Sequence, residues 1–294
     1  MIKSFGEINT NLLTEICSSF EATSNLKLVR KQFPNIEHIM LYSILYSTGK
    51  YNEQLIGALP QLFLPDDKII IISDTHFGSK FERIRYIYEV FEFAKAHGVK
   101  TILHGGDIIE GNVKNKKGFS SIKQANYFVE RYPHDDEITT HALFGNHDFL
   151  AITRNPEVGE VLKSREDVLP LGYKKAYINL NGTIISLQHE IEDYKLCLPL
   201  KGEYISFKGH SHFYHIREQK QMKNERIFIP ALCNDKVYLA STTPKTSFNN
   251  ANFKPGFLLV EVDDTSINVT NYTFTQNIII RENEFQKTLT KKVF

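Results

Sequence analysis

From Lys68 onward the chain alternates short apolar runs with stretches of helical spacing. Ile69–Ser73 is a continuous buried-strand run. Phe81–His97 then places Ile84, Ile87, Val90, Phe91 and Phe93 largely on one helical face, and Thr101–Leu103 forms a second strand. Ser120–Arg131 reads as the next helix and Thr139–Phe144 as the next strand. Beyond Leu169 the pattern is mostly strand. Lys175–Leu180 and Thr183–Leu187 flank Asn181-Gly182, a strong tight-hairpin signal. Ile205–Lys208, Ile227–Ile229, Gly256–Val262 and Ile267–Phe274 complete the strand candidates, and the polar stretch from 281 to 294 reads as a tail. Strands alternating with helices make this an α/β chain.

The first sixty-odd residues differ. Leu12, Leu13, Ile16, Cys17 and Phe20 recur at helical spacing behind the cap candidates Asn9 and Thr10, so a helix is expected over Thr10–Phe20. Asn25–Phe33 and Ile36–Tyr46 follow as two more helices, separated by Pro34-Asn35. Leu59–Asp67 carries two prolines and an acidic pair, which reads as a linker. The expected organisation is a helical region over 1–66, a catalytic domain over 67–280 and a tail over 281–294.

Composition narrows the class without choosing the function. The chain has 294 residues, 41% hydrophobic and 23% charged, with a formal net charge of +1, so global charge recruits no particular partner. The first residues lack a signal-peptide core, and no apolar run is long enough to span a membrane. Cys17, Cys197 and Cys233 are an odd number without CxxC spacing, which suits reduced thiols and a cytoplasmic protein.

Polar, metal-competent residues recur just after the apolar runs. They are Asp74-Thr75-His76, Gly106-Asp107, Gly145-Asn146-His147-Asp148, His189, and Gly209-His210-Ser211-His212. The carboxyl ends of strands in an open α/β sheet converge on one edge, where ligand sites form. Carboxylates and imidazoles gathered at such an edge face repulsion and desolvation unless a cation compensates them. Mixed oxygen and nitrogen donors suit manganese, iron or zinc better than calcium. Alternate residues of an extended segment face the same way, so both side chains of Asp74-Thr75-His76 and of His210-Ser211-His212 can aim at one site.

These motifs, in this order over roughly Ile69 to Phe213, resemble the calcineurin-like metallophosphoesterase family: DxH, GD, GNH followed by Asp or Glu, a lone His, and GHxH. The resemblance implies two packed mixed β-sheets flanked by helices. It implies two divalent metal ions, manganese first and iron, zinc or nickel as alternatives. Asp74, His76, Asp107 and His212 would hold one ion, and Asp107, Asn146, His189 and His210 the other, with Asp107 bridging. The implied mechanism is hydrolysis by a metal-bridging hydroxide, with the ions about 3.5–4 Å apart. His147 would stabilise the transition state or protonate the leaving oxygen, with Asp148 orienting it.

Any one of these residues alone would read as an ordinary turn residue; the set in order carries the assignment. His104, His141 and His215 read as packing or supporting residues, and Glu110 as either a support or a loop carboxylate. Asp107-Ile-Ile-Glu-Gly lacks the Asp-Arg-Gly of protein serine/threonine phosphatases, so the lean is toward phosphodiester hydrolysis, with a phosphomonoesterase as an alternative. The segments 111–137 and 149–173 read as substrate loops, where Lys114, Lys116, Lys117, Arg131 and Arg154 are available to phosphate. A further alternative is a nuclease directed to DNA by a helix-turn-helix in the N-terminal region. Residues 1–60 balance five basic against five acidic residues, which favours an oligomer or partner module, or a structural cap on the catalytic domain, there instead. A non-catalytic scaffold, as in the related retromer subunit, is the contrasting class.

Overall fold

The computed structural model describes residues 10–23, 29, 31–36, 62–111, 119–173, 175–189, 203–219, 224–233, 254–275 and 278–289. Two mixed sheets form its frame. The seven-stranded sheet is built on β2 (Lys68–Ile72), β3 (Thr101–His104), β4 (Thr139–Phe144) and β5 (Val168–Tyr173), which are mutually parallel. β11 (Gly256–Val262), β12 (Ser266–Thr275) and β13 (Ile278–Thr288) extend it antiparallel from β2, giving the order β13-β12-β11-β2-β3-β4-β5. The six-stranded sheet has the order β1-β6-β7-β8-β10-β9, with β1 (Leu62–Leu64), β6 (Lys175–Leu180), β7 (Thr183–Gln188), β8 (Glu203–Lys208), β9 (His215–Gln219) and β10 (Asn224–Phe228).

The period-two geometry of β2 divides the core. Ile69 and Ile71 face the six-stranded sheet and pack with Leu103, Leu143, Ile178, Ile185, Leu187 and Phe207. Ile70 and Ile72 face the helices. There they meet α2 (Ile84–Ala96), through Ile87, Val90 and Phe91, and α3 (Ser121–Arg131), through Ala125 and Phe128. All four isoleucines are fully buried, and each such burial stabilises the fold by about 1.5–3 kcal/mol. A strand apolar on both faces is what a two-sided parallel sheet requires.

Several expectations change. The presumed linker contributes β1, whose Leu62, Phe63 and Leu64 pair in parallel with Ile178, Asn179 and Leu180, so the sheets begin before residue 67. The presumed tail forms most of β13, an edge strand whose side chains are largely exposed and therefore show no apolar period. The segment 149–173 is not a loop: it holds most of α4 (Asn146–Arg154), then α5 (Glu157–Leu162) and β5. The first N-terminal helix is α1 (Thr10–Thr23). Val29 and Phe33 close a helical turn (3.0 Å) before Pro34, while most of the second and third predicted helices lies outside the described residues. The described helices include none long and apolar enough to cross a membrane.

Candidate metal centre

The parallel pairing of β2 with β3 continues past both strands. Asp74 N–H donates to Gly106 O (2.9 Å), His76 N–H to Asp107 O (3.1 Å) and Phe77 N–H to Ile108 O (2.8 Å), so two loops run side by side as one extended ladder. This ladder sets Asp74 and His76 against Asp107. At the end of β4 the chain turns at Gly145 into α4, and the N–H of His147 in its first turn donates to Asp107 Oδ1 (2.9 Å). A carboxylate at a helix N-terminus is favoured by the unpaired amides there. Gly145 is required by this close approach, since a Cβ at that position would overlap Asp107 Oδ1 and press on His189 Nε2.

The six-stranded sheet supplies the remaining side chains. His189, at the end of β7, has Nδ1 2.7 Å from Gly105 O, which fixes the proton on Nδ1 and turns Nε2 inward. That Nε2 lies 3.2 Å from Asp107 Oδ2 and 3.1 Å from Asn146 Oδ1. Past β8, His210 N–H donates to Asp74 Oδ2 (3.1 Å), and His212 Nε2 stands 3.3 Å from Asp74 Oδ1. All nine residues singled out from the sequence therefore stand in or directly beside one cluster. Asp74, His76, Asp107, Asp148, His189 and His212 are buried, Asn146 and His147 are half-buried, and His210 is exposed, so the last three form its mouth.

Backbone conformation marks the same residues. Asp74 (φ 53°), His76 (47°), Asp107 (55°), His210 (68°) and His212 (66°) all occupy the left-handed region. Among the described residues only Asn181, in the predicted hairpin, joins them without being glycine. Such conformations cost about 1–3 kcal/mol each and collect where function demands them.

These residues fit a metal. Asp74 Oδ1 is buried without a hydrogen bond. His76 Nε2 is 4.0 Å from Asp74 Oδ1 and 3.8 Å from Asp107 Oδ2, too far for hydrogen bonds yet close enough for all three atoms to converge on one ion. Asp74, His76 and Asp107 form one group whose donor atoms lie within 4.8 Å of one another, and Asp107, His189 and His210 form another. These two groups share Asp107; relative to the donor sets the motifs imply, the first is without His212 and the second without Asn146, and His76 also groups with His212 and Cys233 and with Glu110 and His147. Burial works against the charge of Asp107, but His189 and His147 hold its carboxyl well below the usual range. Burial likewise opposes charge on His189, while Asp107 raises that ring to about 9.

The supporting residues are partly as expected. Asp148 does not hydrogen-bond His147. Its carboxylate accepts the N–H groups of Ile108 (3.1 Å), Ile109 (2.9 Å) and Gly145 (2.8 Å), tying the Asp107 loop to the start of α4. Burial pushes its carboxyl up to about 7, with Asp107 adding to the rise. His147 is oriented by Glu110, whose carbonyl oxygen lies 2.5 Å from Nδ1. The Glu110 carboxylate also sits 3.3 Å from His76 Nδ1. Beneath them His104 Nε2 is 3.0 Å from Thr75 Oγ1, which itself donates to Ile108 O (3.0 Å), and His104 Nδ1 accepts the Gly106 N–H (3.2 Å). Those partners require a neutral ring, and burial pulls its pKa down to about 3.

Sequence reasoning missed Cys233, whose sulfur is 3.8 Å from His212 Nδ1; no motif links it to that histidine. It also misjudged Arg154, which stands at the far end of α4, about 12 Å of helix from Asn146. Arg131 lies 6.0 Å from the Tyr127 ring, while Lys114, Lys116 and Lys117 fall outside the described residues.

Two mixed sheets carrying a His/Asp cluster at their strand ends define a metallophosphoesterase fold. The chain belongs to the calcineurin-like phosphoesterase family, whose model matches residues 67–247. The family is metal-dependent, and the clusters above are its candidate ligands here. No curated protein matches the sequence. Among solved structures, a Vps29 single mutant from Entamoeba histolytica is similar at 15% identity over 75% of this chain and 99% of its own (TM-score 0.43). A predicted phosphoesterase from Streptococcus pneumoniae TIGR4 is similar at 15% identity over 75% and 98% (TM-score 0.37). The nuclease MPE of Pseudomonas putida is similar at 12% identity over 67% and 90% (TM-score 0.34).

Proposed function

We propose that the chain is a metal-dependent phosphodiester hydrolase. Asp74, His76, Asp107 and His212 would hold one divalent ion and Asp107, Asn146, His189 and His210 a second, manganese being the first choice. Bound there, the ions would supply Lewis-acid polarisation of the phosphoryl group and ionisation of a water nucleophile. His147 would protonate the departing oxygen. The observation that carries this reading is the placement of His147: half-buried at the mouth, Nδ1 held by Glu110, and Nε2 4.0 Å from Asp107 Oδ2. Burial works against charge on this ring, while Asp107 and Glu110 raise its pKa.

The diester is the first choice because Asp107-Ile-Ile-Glu-Gly lacks the Asp-Arg-Gly of protein serine/threonine phosphatases. The proposed setting is cytoplasmic, in keeping with an odd number of cysteines without CxxC spacing. The region before β1 is proposed to serve oligomer or partner contacts.

The test is hydrolysis of bis-p-nitrophenyl phosphate and p-nitrophenyl phosphate with manganese, comparing wild type with His147→Ala. Preference for the diester, reduced about 10²–10⁴-fold by the substitution, is expected. Preference for the monoester would transfer the reading to a phosphatase, and failure to cut either would remove the hydrolase reading.

A further inference from the structure

Helix α3 carries an amide in its buried stripe. Ser121, Gln124, Ala125 and Phe128 are its buried positions, and Ala125 and Phe128 belong to the core on the helix side of the seven-stranded sheet. Gln124 is fully buried among them. An amide taken out of water costs free energy unless its donors and acceptors are satisfied, so an apolar side chain of the same length would fill this place at lower cost. Two main-chain groups satisfy it: Oε1 accepts the Gly111 N–H (2.8 Å) and Nε2 donates to Phe119 O (3.1 Å). An N–H can only donate and a carbonyl can only accept, so one orientation of the amide serves both.

The Gly111 N–H shares a peptide unit with the Glu110 carbonyl. Peptide units away from proline are planar and trans, so the two groups point in opposite directions and fixing one fixes the other. Gln124 holds the N–H end, and the carbonyl end lies 2.5 Å from His147 Nδ1. That carbonyl keeps a proton on Nδ1 and leaves Nε2 as the nitrogen that takes up and releases one. Packing closes the same arrangement. A Cβ at Gly111 (φ 64°) would overlap His147 O, and one at Gly78 would press on Gln124 Cγ (2.6 Å). Glycine at 111 thus lets the peptide reach α4, and glycine at 78 lets the glutamine reach the peptide.

We propose that Gln124 is a positioning residue for the proton donor: it sets the Glu110–Gly111 peptide and, through that peptide, aims His147 at the leaving oxygen of the phosphodiester. The inference rests on the hydrolase reading above and adds the device that orients its acid. Gln124 acts at one remove, because its hydrogen bonds go to main-chain groups outside the two donor sets. Its loss should therefore lower kcat and leave KM and metal content as they are.

The test compares wild type, Gln124→Met, His147→Ala and the double variant on bis-p-nitrophenyl phosphate with manganese. Gln124→Met keeps the length of the side chain without the amide. It should lower kcat about 10–100-fold, the size of effect that an ångström of misplacement produces, with KM and bound manganese unchanged. In the His147→Ala background the same substitution should change kcat less than about 2-fold, because no donor is left to aim. An unchanged kcat, an equal loss in both backgrounds, or a loss explained by manganese content overturns the positioning role while leaving the hydrolase reading standing. Should Gln124→Met not fold, Gln124→Leu takes its place in every comparison with the same expectations. If wild type cuts nothing, the hydrolase reading fails, and nitrogen NMR of histidine-labelled, metal-free protein at alkaline pH decides the geometry. His147 held as the Nδ1–H tautomer in wild type and released to a mixture in Gln124→Met upholds it; the same tautomer in both overturns it.

Discussion

The two halves of the candidate metal centre are held in different ways. The half on the seven-stranded sheet is self-supporting: the loops after β2 and β3 are laced by backbone hydrogen bonds, and Asp148 collects three further amides from the Asp107 loop and the start of α4. The half on the six-stranded sheet leans on the first. His189 is fixed through Gly105 O, His210 through Asp74 Oδ2, and the turn after β10 through the bond from Leu232 N–H to Ser73 O (3.1 Å). The difference teaches that the first half is a template and the second docks onto it, so damage should spread in one direction.

Asp107 is where that asymmetry can be broken most severely, because its carboxylate touches both halves. Asp107→Asn should weaken manganese binding by more than the about 10–100-fold typical of a supporting residue, and should abolish hydrolysis. His189→Ala, on the docking side, should weaken manganese binding less than Asp107→Asn does; calorimetric titration of manganese compares the two, and equal losses would erase the asymmetry.

A smaller effect is expected from the support beneath the template. His104→Ala leaves Thr75 and the Gly106 amide without their ring partner, which should cost about 1–3 kcal/mol in urea unfolding and lower metal affinity about 10-fold. The sign of its pH dependence follows from a folded pKa near 3 against an ordinary 6.5. The stability it provides is complete above about pH 6.5 and falls as pH drops toward 3, so wild type and variant should converge in acid.

The smallest effect lies outside the centre. His134 bonds Asp167 (3.0 Å), and the hydrogen bond and charge of that carboxylate raise the imidazole pKa. Its contribution is therefore complete below about pH 6.5 and disappears as pH rises through the folded value, the opposite of His104. His134→Ala should lower the melting temperature slightly at pH 6 and not at pH 9.

Much of this was legible in the sequence, for identifiable reasons. β2, β3 and β4 end in their polar residues abruptly, and the hairpin at Asn181-Gly182 announces itself by turn chemistry. β13 was hidden because an edge strand has little apolar face to display, and β1 because prolines flank only three strand residues. The candidate donor cluster was readable because its residues follow strand ends in a fixed order. Its supports were not: Glu110 acts partly through a carbonyl, Asp148 through backbone amides, and Cys233 meets His212 only after β10 has folded against β8. Contacts of that kind are made by tertiary pairing and leave no local period.

The most direct measurement is the number of manganese ions retained per chain after equilibrium dialysis, counted by atomic emission for wild type and Asp107→Ala. Two ions per wild-type chain, with loss of both in the variant, is the result expected of a shared Asp107 on a template. No retained ion, or a count that the substitution leaves unchanged, would contradict it.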